Sequence, residues 1–236
     1  MNMLRTELKK TNLKEYFKAS FGILAGILAM GILFLFLPEI EGSSPKGEEL
    51  FHEWDGIFML ISVLNSVSFG ILAAVAAARL VIGEYGGKGA AVILCYPIKQ
   101  RKILNAKCLI ICVFITVAEF ICSAVIMAAL YIVSEIAGAE LAAPSSAFPI
   151  TIPCVGILSG LLSSVTGIIS VTIGWKKRSV PAAVVSSFIA GCLLAQCFSF
   201  SPKNILPTTA VICAVLSTAA VFVYNSLAKS IEKLEV

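Results

Sequence analysis

Six long apolar runs, separated by shorter polar and charged segments, dominate the chain. A helix needs about 20 mostly apolar residues to cross a hydrocarbon core of about 30 Å. The backbone inside lipid must be helical because its polar groups find no other partner there, and a β-barrel would show alternating segments of about ten residues. The pattern therefore predicts an all-α polytopic membrane protein with six transmembrane helices. The predicted spans are residues 19–37, 57–82, 108–133, 150–174, 182–200 and 205–224.

Composition supports a membrane protein and excludes other classes. Hydrophobic residues make up 58% of the 236 residues and charged residues 14%, whereas a soluble domain has about half apolar and about a quarter charged residues. This excludes a soluble enzyme and a disordered chain, and a net charge of +4 gives no basic face for a nucleic acid. The first span follows a charged lead and ends at Pro38 and Glu39, so it is not a cleavable signal peptide.

The basic residues predict the orientation of the spans. Sixteen of the 18 Lys and Arg residues lie in the lead, in 79–107, in 176–178 or in the tail, on one side of the predicted membrane. By the positive-inside rule this side is cytoplasmic, with both termini. We expect one transmembrane domain, residues 1–236, in a cell membrane, and specifically a bacterial plasma membrane. Residues 1–18 form a cytoplasmic lead. Residues 38–56 form an acidic extracellular loop that is simply solvated, or that repels anions or receives cationic ligands.

The cytoplasmic segment 83–107 combines apolar and basic stretches. Its apolar run 90–95 is too short to span a bilayer and would be costly to expose to water. Pro97 ends any helix there, and basic residues lead back to the third span. We therefore expect a short amphipathic helix over 84–96, which lies in the headgroup plane or docks in a groove of a partner protein.

This segment resembles the first intracellular loop of ABC-2-type transporter permeases. In that family the loop is a coupling helix that inserts into a cleft of the ATP-binding subunit. Gly89 and Ala91 stand where the family commonly has Thr and an acidic residue. The matching residues are Glu84, Tyr85, Lys88, Ile93, Leu94, Tyr96, Pro97, Ile98, Arg101, Lys102, Ile103, Ala106 and Lys107.

The resemblance implies a non-catalytic permease subunit with three kinds of partner. These are a separate ATP-binding-cassette ATPase, a second copy of the chain or a paralogous permease, and the lipid bilayer. The chain contains no phosphate-binding GxxxxGK[ST] motif, so we expect it to hold no cofactor and the ATPase to bind ATP and Mg. Of the matching residues, those expected to couple to the ATPase are Glu84, Tyr85, Lys88, Ile93, Leu94, Tyr96, Pro97, Arg101 and Lys102.

The lead also fits this family. Asn12, followed by Glu15 three residues later, is typical of a helix cap. The family has an interfacial helix before the first span that touches the ATPase. A basic anchor to anionic lipid explains the lead equally well.

Polar groups inside the spans are candidates for a substrate path. Glu119 lies deep in the third span, where a charge is costly, so it should face the protein interior, a cavity or a partner. It either contacts substrate, carries a proton or bonds across a subunit interface, or it is purely structural. Asn65, Gln196 and the Ser and Thr residues of span four are expected to bond between helices.

Spacing also predicts close helix packing. Three small-xxx-small pairs are expected to be packing faces: Gly22 with Gly26, Gly70 with Ala74, and Gly156 with Gly160. The short polar segment 201–204 predicts a tight hairpin of the last two spans.

Catalysis inside the membrane is not expected. Residues 156–160 weakly resemble a membrane serine nucleophile, but the single histidine of the chain, His52, lies in the outer loop and cannot act as its base.

The functional prediction is an ATP-driven exporter subunit. The apolar spans with few charges favour a hydrophobic or amphipathic substrate, with a peptide toxin or antimicrobial peptide as the first choice. The alternative is a non-ABC secondary transporter, or a small-molecule-binding membrane subunit, that uses Glu119.

Overall fold

The computed structural model describes residues 13–41, 54–85, 100–137, 148–199 and 205–232. Apart from a short turn at 177–179, this part of the chain is helical. Each helix contains a stretch long and apolar enough to cross a membrane, so the predicted all-α fold with six membrane-spanning helices is confirmed. The helices are α1 (Leu13–Glu41), α2 (Trp54–Tyr85), α3 (Gln100–Ala137), α4 (Phe148–Lys176), α5 (Val180–Ser199) and α6 (Ile205–Glu232).

The helices extend beyond most of the predicted spans and shorten the predicted loops. The segment predicted as a loop at 83–107 contains the end of α2 and the first two turns of α3, and residues 13–18 of the lead are the first turns of α1. Hydropathy marks only the part of a helix that lies in hydrocarbon, whereas the helix continues into polar residues on either side. The remainder of the predicted coupling helix, 86–96, and residues 1–12 lie outside the described residues.

Helix α4 lies at the centre of the bundle. It packs against α2 most extensively, and also against α3, α5 and α6, whereas α1 packs mainly against α2 and α3. Glycines allow this close approach: a Cβ added at Gly160 would lie 2.9 Å from the Cα of Thr116, and one at Gly167 would lie 3.0 Å from the carbonyl carbon of Ala73. The crossings of α4 with α3 and with α2 therefore need small residues.

Two of the three predicted glycine packing faces are confirmed. Gly156 and Gly160 face α3, and Gly70 faces the Thr166 hydroxyl of α4. Gly22 and Gly26 face no described helix of the chain, since an added Cβ at either position would meet no atom within 4 Å among the described residues. The reason is that this side of α1 faces away from the bundle.

The turn between α4 and α5 is short and well defined. Arg178 has a φ of 47°, its N–H donates to the Trp175 carbonyl at 3.1 Å, and the Ser179 N–H donates to the Gly174 carbonyl at 3.1 Å. These two bonds form the Schellman motif, in which the left-handed position is usually glycine. Its basic residues lie at the negative end of the helix dipole, and the turn sets α4 and α5 side by side.

Helices α5 and α6 make little contact with each other. The predicted tight hairpin is therefore wrong for the helices themselves, although residues 200–204 that join them lie outside the described residues. Each helix packs instead against α4, and α5 also packs against α2. Both leave one apolar side exposed, including Phe188 on α5 and Phe222 on α6.

Candidate functional site

A layer of buried polar side chains crosses the middle of the bundle. On α2 and α4 it separates an apolar cluster that includes Ile61 and Val155 from a second apolar cluster that includes Phe69 and Val171. We call this group the polar layer. It consists of Asn65 and Ser66 on α2, Glu119 on α3, and Ser159 and Ser163 on α4, all of which are buried.

Hydrogen bonds across the polar layer join three helices. The Ser163 hydroxyl donates to the Ser66 carbonyl at 3.0 Å, and the two serine hydroxyls lie 3.3 Å apart. The Asn65 amide donates to the Glu119 backbone carbonyl at 3.4 Å. The predicted bonding between helices is therefore confirmed for Asn65 and Ser163. Other hydroxyls of α4 bond within their own helix, as Thr166 and Thr172 do.

The carboxyl group of Glu119 is the least satisfied group of the polar layer. Its side chain is 0% exposed, and neither of its oxygens has a hydrogen-bond partner among the described residues. Ser159 and Ser163 are its polar neighbours, but their hydroxyls donate to the backbone carbonyls of Gly156 and Ser66. Glu119 faces the protein interior, which was one of the predicted placements.

The polar layer offers acceptor atoms to a further group. Besides the Glu119 carboxyl, the Asn65 Oδ1 and Thr116 Oγ1 atoms are buried and have no hydrogen-bond partner in the described part of the chain. Because buried polar groups are normally paired, this arrangement suits a donor or a cationic group. Gln196, the third predicted path residue, is exposed on α5 and does not belong to the layer.

A second cluster of polar contacts lies at the predicted cytoplasmic ends of the helices. The Arg101 guanidinium of α3 donates to the Asn225 Oδ1 of α6 at 3.0 Å, and the Tyr224 hydroxyl of α6 donates to the Asn105 Oδ1 of α3. We call the whole cluster the cytoplasmic frame. Its residues are Glu15, Arg79, Leu80, Arg101, Asn105, Lys107, Tyr224 and Asn225.

The cytoplasmic frame also joins α2 to its neighbours. The Arg79 guanidinium lies 3.4 Å from the Glu15 carboxylate of α1. The Lys107 ammonium of α3 donates to the Leu80 carbonyl of α2 at 3.4 Å, and the lysine is 1% exposed. Leu104, three residues before Lys107, is buried in the apolar cluster that includes Phe69 and Val171. The end of α2 and the start of α3, which bracket residues 86–99, are thus joined to each other and to α1 and α6.

The structure places only some of the predicted coupling residues. Glu84 and Tyr85 are the last residues of α2, and Arg101 and Lys102 are exposed in the first turn of α3. Arg101 takes part in the cytoplasmic frame. Lys88, Ile93, Leu94, Tyr96 and Pro97 lie outside the described residues.

Sequence reasoning missed most of the cytoplasmic frame. Arg101 and Asn105 are four residues apart on one face of α3, and Tyr224 ends the last predicted span. These positions are a signal for polar contacts at a helix end, but the sequence does not show that α6 lies beside α3.

Six membrane-spanning helices with buried polar groups at mid-depth and a polar frame at one end define a multi-pass membrane protein. The chain belongs to the ABC-2 transporter family: residues 3–193 match the family described as ABC-2 family transporter protein. Members of this family are the membrane components of ABC transporters, generally non-catalytic, and they normally work with an ATP-binding subunit. This membership argues against the non-ABC alternative.

A curated protein is similar to this chain over most of its length. The chain is 27% identical over 217 residues to the uncharacterized protein YcbO of Bacillus subtilis strain 168, covering 88% of this chain and 90% of the relative. No solved structure matches the chain.

Proposed function

We propose that the chain is the permease subunit of an ATP-driven exporter in a bacterial plasma membrane, paired with a second copy or a paralogous permease. A separate ATPase binds ATP and Mg and grips the segment between α2 and α3. Family membership supports this role. The single observation that carries the mechanism is the cytoplasmic frame, which holds both ends of that segment.

The cytoplasmic frame connects the segment between α2 and α3 to the other helices of the bundle. The Lys107–Leu80 bond joins α2 to α3, so a push on the segment moves the two helix ends together. The contacts to Asn225 and Glu15 pass the displacement to α6 and α1. Because α2 and α3 both pack on α4, the movement reaches the polar layer as a shear of packed helices.

The contact with the ATPase combines an apolar and a basic part. In this proposal Ile93 and Leu94, which lie outside the described residues, supply apolar contacts to a groove of the ATPase. Arg101 and Lys102 supply positive charge at its edge, where charges set partner choice and association rate. The remaining contact residues in this proposal are Glu84, Tyr85, Lys88, Tyr96 and Pro97.

Co-purification with the ATPase tests this proposal. We expect Leu94→Asp, which removes an apolar contact, and Lys102→Glu, which reverses a charge, each to lower the amount of co-purified ATPase about tenfold. A tenfold decrease corresponds to a loss of about 1.4 kcal/mol of binding free energy. Lys177→Glu, in the turn between α4 and α5, is the matched charge control and should retain the ATPase. Equal retention by all three variants would contradict the proposal.

Arg101 needs a separate control because it has a partner inside the chain. If Arg101→Glu acts at the ATPase surface, Asn225→Ala, which removes its internal acceptor, should retain the ATPase. If both variants release the ATPase equally, Arg101 acts only through the cytoplasmic frame.

The cargo in this proposal is a hydrophobic or amphipathic peptide with a cationic or donor group. The spans supply apolar surface, and the unpaired acceptors around Glu119 and Asn65 supply a place for the polar group. We expect Glu119→Gln to lower export of such a peptide at least tenfold, a change of about 1.4 kcal/mol, with normal ATPase association. ATP-dependent uptake of a labelled cationic peptide into inverted vesicles measures this, with Glu135→Gln, on the exposed surface of α3, as the matched control. Unchanged export by Glu119→Gln would show that Glu119 is structural.

A further inference from the structure

An apolar groove runs between α1 and α3 on the outside of the bundle. Its volume is about 530 Å³, and the residues that define it are Phe17, Phe21 and Leu24 on α1 and Leu109, Val117 and Ile121 on α3. Phe21 is 72% exposed and Phe17 65%. The groove is thus open along its length toward the surrounding lipid.

Side-chain contacts join α1 and α3 within the groove and again farther along the two helices. At the predicted cytoplasmic end the Phe17 and Phe114 rings meet edge to face with their centroids 5.4 Å apart. Toward the other end, Gly31 of α1 lies so near Leu130 of α3 that an added Cβ would be 2.9 Å from its Cδ1.

The length of the groove is of the same order as the thickness of one leaflet of a bilayer. Its α3 side extends from Leu109 to Cys122, which is about 20 Å of helix at 1.5 Å per residue. Half of a hydrocarbon core is about 15 Å. Because the groove starts near the predicted cytoplasmic end of the helices, it lies at the depth of the inner-leaflet acyl chains.

The chemistry of the groove suits a hydrocarbon chain. Among the described residues that line it, the single hydroxyl is that of Ser20, and this hydroxyl donates to the Tyr16 carbonyl at 2.9 Å. No lining hydroxyl is therefore left to recognise a polar ligand, and the apolar side chains favour an apolar occupant.

Basic residues lie at the cytoplasmic mouth of the groove. Lys14 and Lys18 are exposed on the same face of α1 as Phe21, seven and three residues before it respectively. Lys102 is exposed two turns before Leu109 on α3. The nearby Glu15 carboxylate faces Arg79 on α2. This distribution of charge is complementary to an anionic headgroup.

We propose that the groove binds a phospholipid of the inner leaflet, with one acyl chain between α1 and α3 and its anionic headgroup against Lys14 and Lys18. The bound lipid completes the α1–α3 surface and fixes the angle between these helices. This site stands independently of the exporter proposal, because its test measures bound lipid and not transport or ATPase binding.

Filling the groove tests the acyl-chain part. The wild-type chain is purified in a neutral detergent, incubated with phosphatidylglycerol and examined by native mass spectrometry. We expect Val117→Trp, and independently Ile121→Trp, to lower bound phosphatidylglycerol about tenfold. The tryptophan side chain fills the groove, so the acyl chain of the lipid loses its van der Waals contacts with the lining residues. Val215→Trp, on the exposed face of α6, is the matched control and should bind as the wild type does. Thermal unfolding of each variant shows that it is folded.

Removing charge tests the headgroup part. We expect Lys14→Gln combined with Lys18→Gln to lower the preference for phosphatidylglycerol over phosphatidylcholine severalfold, while Lys176→Gln combined with Lys177→Gln leaves it unchanged. Equal effects of the two pairs would show that only general surface charge acts.

Three results would overturn the proposal. The first is that Val117→Trp and Ile121→Trp both bind as much lipid as the wild type, or that Val215→Trp loses as much bound lipid as they do. The second is a change of oligomeric state in Val117→Trp with no change in bound lipid, which would assign the groove to a second copy of the chain. The third is increased lipid binding after deletion of residues 1–11, which would assign it to that segment.

Discussion

Gly160 shows how one atom controls the contact between α3 and α4. An added Cβ would lie 2.9 Å from the Thr116 Cα and 3.0 Å from its carbonyl oxygen, and backbone atoms cannot turn aside as the end of a side chain can. We therefore expect Gly160→Ala to lower the free energy of unfolding by about 1–3 kcal/mol, as overpacking of a close contact does. Unfolding in mixed micelles with increasing denaturing detergent measures the change.

Gly22→Ala is the matched control for this prediction. Gly22 is also helical, but an added Cβ there meets nothing within 4 Å among the described residues. Alanine at an open helical position should be neutral or stabilising by up to about 1 kcal/mol, because glycine has low helix propensity. An equal loss of stability in the two variants would contradict the steric explanation.

The sequence predicted helix-packing faces at these glycines but did not distinguish which of them contact another helix. Gly22 with Gly26 and Gly156 with Gly160 have the same spacing, yet among the described residues only the second pair faces another helix of the chain. Spacing shows that two small residues share a face, whereas the direction of that face depends on the packing of the whole bundle. For the same reason the burial of Glu119 was predicted from the cost of its charge, but its neighbours Asn65 and Ser163 were not.

At the scale of elements, hydrogen bonds from α6 hold the first turns of α3 in place. The Tyr224 hydroxyl donates a hydrogen bond to Asn105 of α3, and Asn225 accepts one from Arg101 of α3. We expect Tyr224→Phe combined with Asn225→Ala to cost only about 0.5–1.5 kcal/mol of stability per lost bond. Under the proposed function the variant should retain its ATPase but export severalfold less cargo for each ATP hydrolysed, because α6 no longer follows α3.

Reconstituted vesicles provide the measurement, with ATP hydrolysis and export recorded together. Ser217→Ala on α6 is the control, since this hydroxyl donates to the Ala214 carbonyl of its own helix at 3.0 Å. An unchanged ratio of export to hydrolysis in the double variant would exclude a coupling role for the α3–α6 contact.

Helix existence was predictable here, and helix bounds were less so. All six apolar runs became helices because lipid allows no other backbone for a spanning segment. The start of α3 at Gln100, eight residues before the predicted span, could not be read from hydropathy, since Arg101, Lys102 and Asn105 are polar. Their helical state depends on Ile103 and Leu104, which are buried against the bundle.

At the scale of the whole molecule, the charge distribution predicts which side each loop faces. In a chain whose eight cysteines are replaced, single cysteines at Lys46, Lys177 and Lys233 report the side. We expect a membrane-impermeant maleimide to label only the cysteine at position 46 in intact cells, and all three after permeabilisation, because basic loops remain in the cytoplasm. Labelling at 177 but not at 46 would reverse the orientation. Labelling at both 46 and 233 would contradict an even number of crossings.

The central place of α4 also bears on how the protein is made. Helices enter the membrane in the order of synthesis, so α1, α2 and α3 are present before the helix on which α2 and α3 pack most. Until the ribosome has delivered α4, Ser66 lacks its partner Ser163 and the small-residue side of α2 has no neighbour to cover it. We therefore expect α2 and α3 to remain incompletely packed during synthesis until α4 has entered the membrane.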